Sequence, residues 1–353
     1  MHRRDFLRVA GTTSVVGLAG CLGLFETRSS LAPPLVENRP DAVYYPTHVE
    51  GMKMPGMKQS EGYSCALTYS YPHRFWLMKP NGITKVDIQS QDSLHLMPVI
   101  WERETGIIPP DINPQVTITQ DGDSVSQFAP WPMLSQPMGF HFGDNVQLDG
   151  DGKYTVDVSI GGPSIRRTGS LSENKGNNSF SFDFEFSEST LNEISYTDLP
   201  ADKEGTEGAV DLMDMQMLPS SQVPSADALP GEVRGTATSG DANFVVTVLE
   251  DASRFGASPD QYYLVVSPRT PYNRIMLPMM SLSGELLRDG TTVFDGILQA
   301  MIDPELGYHY GSAVTDVRTG DEFTITVDSP PQTARHEGYE TAFVDMPQMQ
   351  LKL

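Results

Sequence analysis

Cysteine is nearly missing: there are two, Cys21 and Cys65, in 353 residues. With Cys21 assigned to a lipid anchor, one thiol remains, which excludes an internal disulfide and a zinc ribbon. Basic residues are scarce too, 24 Lys+Arg against 46 Asp+Glu, for a formal charge of −22. So acidic a surface excludes non-specific nucleic-acid binding, because phosphate needs a basic face, and disfavours docking on anionic lipid head groups. A sequence pI near 4.5 reads as the solubilising surface of a halophilic acidic protein. Long apolar runs and long helical periods are absent, as are a Gly-x-Ser-x-Gly elbow, a phosphate loop, a dinucleotide glycine pattern and His-Glu-x-x-His. The sequence therefore offers no catalytic constellation, and we expect a protein that is not an enzyme.

The N-terminus is an address. Arg3-Arg4 with Phe6-Leu7, an apolar run from Val9 to Gly20, and Leu18-Ala19-Gly20-Cys21 read as a twin-arginine signal peptide over 1–20 that ends in a lipobox. Cys21 is then the lipidated first residue of the mature chain, and 21–40 is a lipidated tether. The expected location is extracytoplasmic, anchored to the cell membrane by an N-terminal lipid. Asn177-Asn178-Ser179 is a glycosylation sequon, which suits such a surface.

Hydrophobic content of 39%, with 9% aromatic, argues against disorder over most of the mature chain. Short alternating runs separated by Pro, Gly and Asp predict strands at 42–45, 63–71, 95–101, 116–120, 154–160 and 180–186. A second series is predicted at 244–249, 262–266, 275–282, 293–300 and 323–327. The fold class read from this spacing is all-β, as two tandem immunoglobulin-like antiparallel β-sandwiches. Copy one spans 41–190 and copy two 208–353, joined by an acidic linker at 191–207; residues 208–235 read either as linker or as an irregular first strand. The halves also repeat in sequence. Met133, then Gly139-Phe140-His141-Phe142-Gly143, matches Met301, then Gly307-Tyr308-His309-Tyr310-Gly311.

Seventeen Met and seven His suggest where chemistry could sit. Thioether sulfur suits soft Cu(I), and imidazole suits copper in both oxidation states. His309 lies eight residues after Met301 across a Pro/Gly loop, and His336, before the last predicted strand, is a plausible third ligand. The bland reading is that such Met residues fill a core and such His residues hold loops by hydrogen bonds. Met52, Met54 and Met57 form an export-type Met motif or an ordinary loop, and Met213, Met215 and Met217 alternate. His73 reads as a turn residue, His95 as a packed or edge residue, and Cys65 as a small core residue.

At these residues the sequence resembles the periplasmic iron-transport-associated family, Fe2+ transport proteins that are small, immunoglobulin-like and copper-binding, and that accompany an iron permease. The resemblance is carried by Ala42-Val43-Tyr44-Tyr45, Glu50-Gly51-Met52, His95-Leu96-Met97-Pro98 and Met276-Leu277-Pro278-Met279. It is carried further by Pro132-Met133 with Phe140-His141-Phe142-Gly143-Asp144-Asn145, by the second Met301/His309 set, and by Arg335-His336. It implies copper ligation by Met301, His309 and His336, and by Met133 and His141. It also implies copper or iron as cargo or cofactor and a metal permease as partner; the sequence leaves a homodimer open. The family's strand His and Glu have no counterpart in 64–68 or 243–247, and Arg166-Arg167 stands where copy one should carry the late His. Copy two therefore looks the better site. The alternative function is a cell-surface interaction lipoprotein whose sandwiches have lost their metal.

Overall fold

The computed structural model describes residues 33–353, apart from 81, 174, 175 and 216. The signal, Cys21 and most of the tether lie outside the described residues. Among those described, no helix is long and apolar enough to cross a membrane.

The protein is all-β and forms sandwiches. The clearest cause is alternation: in strand Asn178–Phe186, Phe180, Phe182, Phe184 and Phe186 are buried while the residues between them face solvent. A strand with this period can satisfy its backbone only by pairing, and its apolar face only by stacking on a second sheet. It pairs with Gly152–Ile160 in a four-stranded sheet completed by Gln115–Gln120 and Asp123–Phe128. Tyr63–Ser70 and Leu94–Glu102 are buried along their whole length. They lie inside an eight-stranded sheet, where the alternating pattern gives way to continuous apolar runs. Cys65 is fully buried there, with its thiol pushed up by burial, as a core residue should be. Asn177 is exposed just before strand Asn178–Phe186.

The second half contributes eight strands to a nine-stranded sheet that folds over on itself, so that Glu232–Ser239 meets Met349–Lys352; the ninth comes from the first half. The fold-over runs along Thr291–Asp303. Up to Leu298 this strand pairs with Ser281–Arg288; from Gln299 it pairs with Gly307–Val314. In the first half the matching path is cut into Asp123–Phe128 and Trp131–Ser135. Pro130 falls at the break and has no N–H to give to a ladder.

Two very short strands cross between the halves. Ala334–Arg335, late in the chain, pairs in parallel with Met133–Leu134. Arg166–Arg167, from the first half, pairs in parallel with Met301–Ile302. The next residue is fixed alike in both, His336 N–H donating to Leu134 O (2.9 Å) and Thr168 N–H to Ile302 O (3.1 Å). Each half thus lends a strand to the methionine strand of the other.

Three expectations from the sequence change. Residues 42–45 form no strand; Tyr44 makes a single bridge to Glu207. The strand predicted at 275–282 begins only at Ser281, after Pro278 and a left-handed Met279 (φ 58°) break the ladder. The stretch 191–207 is more than a linker, since Tyr196–Asp198 pairs with His48–Glu50.

Candidate metal centre

The repeated Met/His motif is a β-hairpin in both halves. His141 stands directly across from Met133, and His309 across from Met301, so thioether and imidazole leave the same sheet face side by side. Each hairpin turns through a positive-φ glycine, Gly139 or Gly307, whose carbonyl meets the histidine Nδ1 at 3.1 Å and 3.0 Å. A carbonyl only accepts, so the proton sits on Nδ1 and the Nε2 lone pair is left free.

What gathers around the two hairpins differs. In the first half the Nε2 of His141 faces His95 and His336, with ligating atoms of the three rings within 4.8 Å of one another. His95 comes from strand Leu94–Glu102, where it pairs with Asn145 on the neighbouring strand. Asn145 Oδ1 accepts from His95 Nδ1 (2.8 Å) and from the His73 N–H (3.0 Å), while its Nδ2 donates to His73 O (2.8 Å). One amide thus fixes the tautomer of His95 and the position of His73. The His73 ring lies 4.8 Å from that of His95 and 5.1 Å from that of His336. Met133 is fully buried against Phe75 and Ala334. A Cβ added at Gly143 would lie 2.7 Å from His95 Nε2 and 3.3 Å from Met133 Sδ, so both reach over one bare stretch of backbone.

His336 arrives from the second half because the segment behind it is clamped. Arg335 is fully buried, and its guanidinium donates to the carbonyls of Pro331, Ala342 and Phe343. Gly338 (φ 90°) has room for no side chain, since a Cβ would stand 2.5 Å from Gln136 Nε2 and 2.7 Å from Tyr44 O. Gln136 Nε2 in turn donates to Tyr44 O and Gly338 O.

Electrostatically the site is poised for a cation with soft, neutral donors. Burial holds the His141 pKa down at about 4, and holds His95 and His336 well below the ordinary histidine value, with neighbouring imidazoles adding to the effect. All three rings are neutral near pH 7. Their three Nε2 atoms are buried with no hydrogen-bond partner among the described residues. A buried unpaired lone pair costs about 1–3 kcal/mol, and three facing one another beside a thioether fit a metal ion. Nitrogens bound at about 2.0–2.1 Å would stand roughly 3.3–3.5 Å apart, within reach of small ring rotations.

In the second half the same space is filled. Tyr263 pairs with Ala313 as His95 pairs with Asn145, and its hydroxyl lies 3.0 Å from Met301 Sδ and 3.3 Å from His309 Nε2. A Cβ on Gly311 would sit 2.5 Å from that hydroxyl, as one on Gly143 would meet His95. Phe255 stacks on the tyrosine ring at 3.7 Å. Thr168 stands where His336 stands in the other half.

The expected convergence of Met301, His309 and His336 is therefore not what forms. His336 joins Met133 and His141, while Met301 and His309 close on a tyrosine. The third imidazole comes from His95, which the sequence placed among packed or edge residues, and His73 borders the same cluster. No local signal marks either, because strand pairing across some fifty residues brings His95 to Asn145.

Residues 78–188 match the Fe2+ transport protein family, and residues 227–352 match a domain family of unknown function. The first match contains His95, Met133 and His141; the second contains Met301, His309 and His336. No curated protein matches the chain. Among solved structures, a copper-bound variant of FetP from uropathogenic Escherichia coli is 21% identical, with a TM-score of 0.31, over 38% of this chain and 97% of that one. FetP of the same strain in its 'as isolated' form, recombinantly expressed in the Escherichia coli periplasm, is 17% identical, with a TM-score of 0.29, over 40% of this chain and 96% of that one.

Proposed function

We propose that this protein is a non-catalytic, extracytoplasmic copper-binding protein that serves metal uptake and holds one ion per chain. The observation that carries the reading is the trio of buried, unpartnered Nε2 atoms on His95, His141 and His336 beside the Met133 sulfur. Copper is favoured over iron because these donors are three imidazoles and a thioether, with no carboxylate in the inner set. Bound copper would supply a soft, redox-active cation. The chain's own residues do the rest: Gly139 O and Asn145 orient two rings, burial keeps the rings unprotonated, and the Arg335 clamp presents His336.

The match of 78–188 to Fe2+ transport proteins supports a place beside an iron permease, with iron as cargo of that partner. Pairing of Met133 with His141 and of Met301 with His309, together with the reciprocal short strands, supports a duplicated unit in which one site stayed open and the other closed. The twin-arginine signal, lipidation at Cys21 and anchoring in the membrane rest on the sequence. The second reading, a surface interaction lipoprotein without metal, is favoured for the second half alone, where Tyr263 occupies the space.

Titration of the mature protein with Cu(I) and Cu(II) against a competing chelator tests the assignment. Met133→Leu/His141→Ala should abolish tight binding, and Met301→Leu/His309→Ala should leave it unchanged. Equal binding by the first variant and the unsubstituted protein would overturn the site.

A further inference from the structure

Two methionine motifs in the sequence remain without a role: the triplet at Met52, Met54 and Met57, and the alternation at Met213, Met215 and Met217. They lie about 160 residues apart, yet each sends its first member into one cavity. That cavity, about 100 Å³, also takes in Met138, from the turn just before strand Gly139–Val146, and its wall includes the buried His141 and His336. The backbone fixes the arrangement. Met213 N–H donates to Pro137 O (2.8 Å), and Gly51, before Met52, donates to Ser195 O (2.8 Å). A space this small is below the usual size of an organic-ligand pocket, roughly 300 Å³ or more, but sufficient for an ion shedding its water.

We infer that this cavity is a Cu(I) loading port, in which Met52, Met138 and Met213 receive the ion and pass it inward to the histidines. The inference rests on the copper-binding reading of the histidine site. Thioethers are soft, uncharged at every pH and individually weak ligands, so they select Cu(I) over hard cations without trapping it. Imidazoles at the inner wall bind more firmly, which gives the transfer its direction. The carboxylates of Glu50 and Glu337 also reach this lining, but Glu50 is already engaged by His48 (3.1 Å) and His73 (3.6 Å), so the thioethers are the soft donors on the way in. Met97, buried with its Cγ over Gly143 next to His95 Nε2, belongs to the destination rather than the path.

Two measurements decide it. With methyl-labelled methionine, Ag(I) as a Cu(I) mimic should shift the methyl resonances of Met52, Met138 and Met213 in the full mature chain. The shifts should persist in His141→Ala/His336→Ala, where the destination is gone. Absence of those shifts in both proteins overturns the port, whatever the histidines bind. Shifts without copper retention by the unsubstituted histidines would sink the copper site and leave the thioether site standing. The triple variant Met52→Leu/Met138→Leu/Met213→Leu keeps volume and apolarity. It should take Cu(I) from a chromophoric chelator about tenfold more slowly, with unchanged equilibrium affinity. An unchanged transfer rate would overturn the path.

Discussion

Tyr263 holds in the second half the position that His95 holds in the first, each reaching over a glycine toward a Met/His pair on the adjacent hairpin. The two halves share a scaffold, yet only one presents open lone pairs. Those two exchanges of side chain, Tyr263 for His95 and Thr168 for His336, separate the open cluster from its closed counterpart.

Restoring both positions should open the second half. Tyr263→His with Thr168→His is expected to raise copper stoichiometry from one to two per chain, read by metal analysis after chelator challenge. Tyr263→Phe should add no copper and should destabilise the fold by about 1–3 kcal/mol, because His309 Nε2 loses its buried partner. Retention of full stability by Tyr263→Phe would show that the hydroxyl contact at 3.3 Å contributes nothing.

Asn145→Ala removes no ligand, yet frees the His95 ring and the His73 backbone it holds at 2.8–3.0 Å. Copper affinity should fall about 10–100-fold, the usual consequence of losing an outer-shell partner. Isothermal titration against a chelator measures it, and an unchanged affinity would mean that packing alone orients His95.

Gly143→Ala places a methyl 2.7 Å from His95 Nε2 and 3.3 Å from Met133 Sδ. The sheet should survive, since Gly143 has ordinary strand geometry, while tight copper binding is lost. Circular dichroism with a copper titration separates these outcomes; binding at the original affinity would refute the position given to Met133.

Stability of the metal-free protein should fall with acid. Burial lowers the folded pKa of His309 and of His141 to about 4, against an unfolded value near 6.5. Between those values the unfolded chain binds more protons, so the contribution is present above pH 6.5 and is lost as pH falls toward 4. For His309 alone the loss from pH 7 to pH 5 is on the order of 2 kcal/mol. Urea midpoints at the two pH values should show it, with a shallower dependence in His309→Gln; identical slopes would count against the buried neutral ring.

Much of the fold is legible in the sequence because alternation is a local signal. The Phe180–Phe186 run and the spacing of Met133 to His141 follow from a two-residue period and a hairpin turn, so strand positions and two site residues can be read directly. Ile275–Leu282 misleads because its apolar content suits a strand, while Pro278 and the left-handed Met279 deny it a ladder. His95 and His73 escape a local reading because nothing near them in the chain announces a ligand; their role depends on Asn145, far along the chain.

By itself, the sequence determined the acidic surface, the all-β class, the Met/His pairs and the single core thiol, since each rests on composition or short-range period. Tertiary structure decided in which half the imidazoles gather beside a methionine. The short strands at 166–167 and 334–335 pair across the halves, so His336 is delivered to Met133 and Thr168 to Met301. Partner choice between strands is set by register and by burial of whole faces, quantities distributed over the fold and written in no single segment.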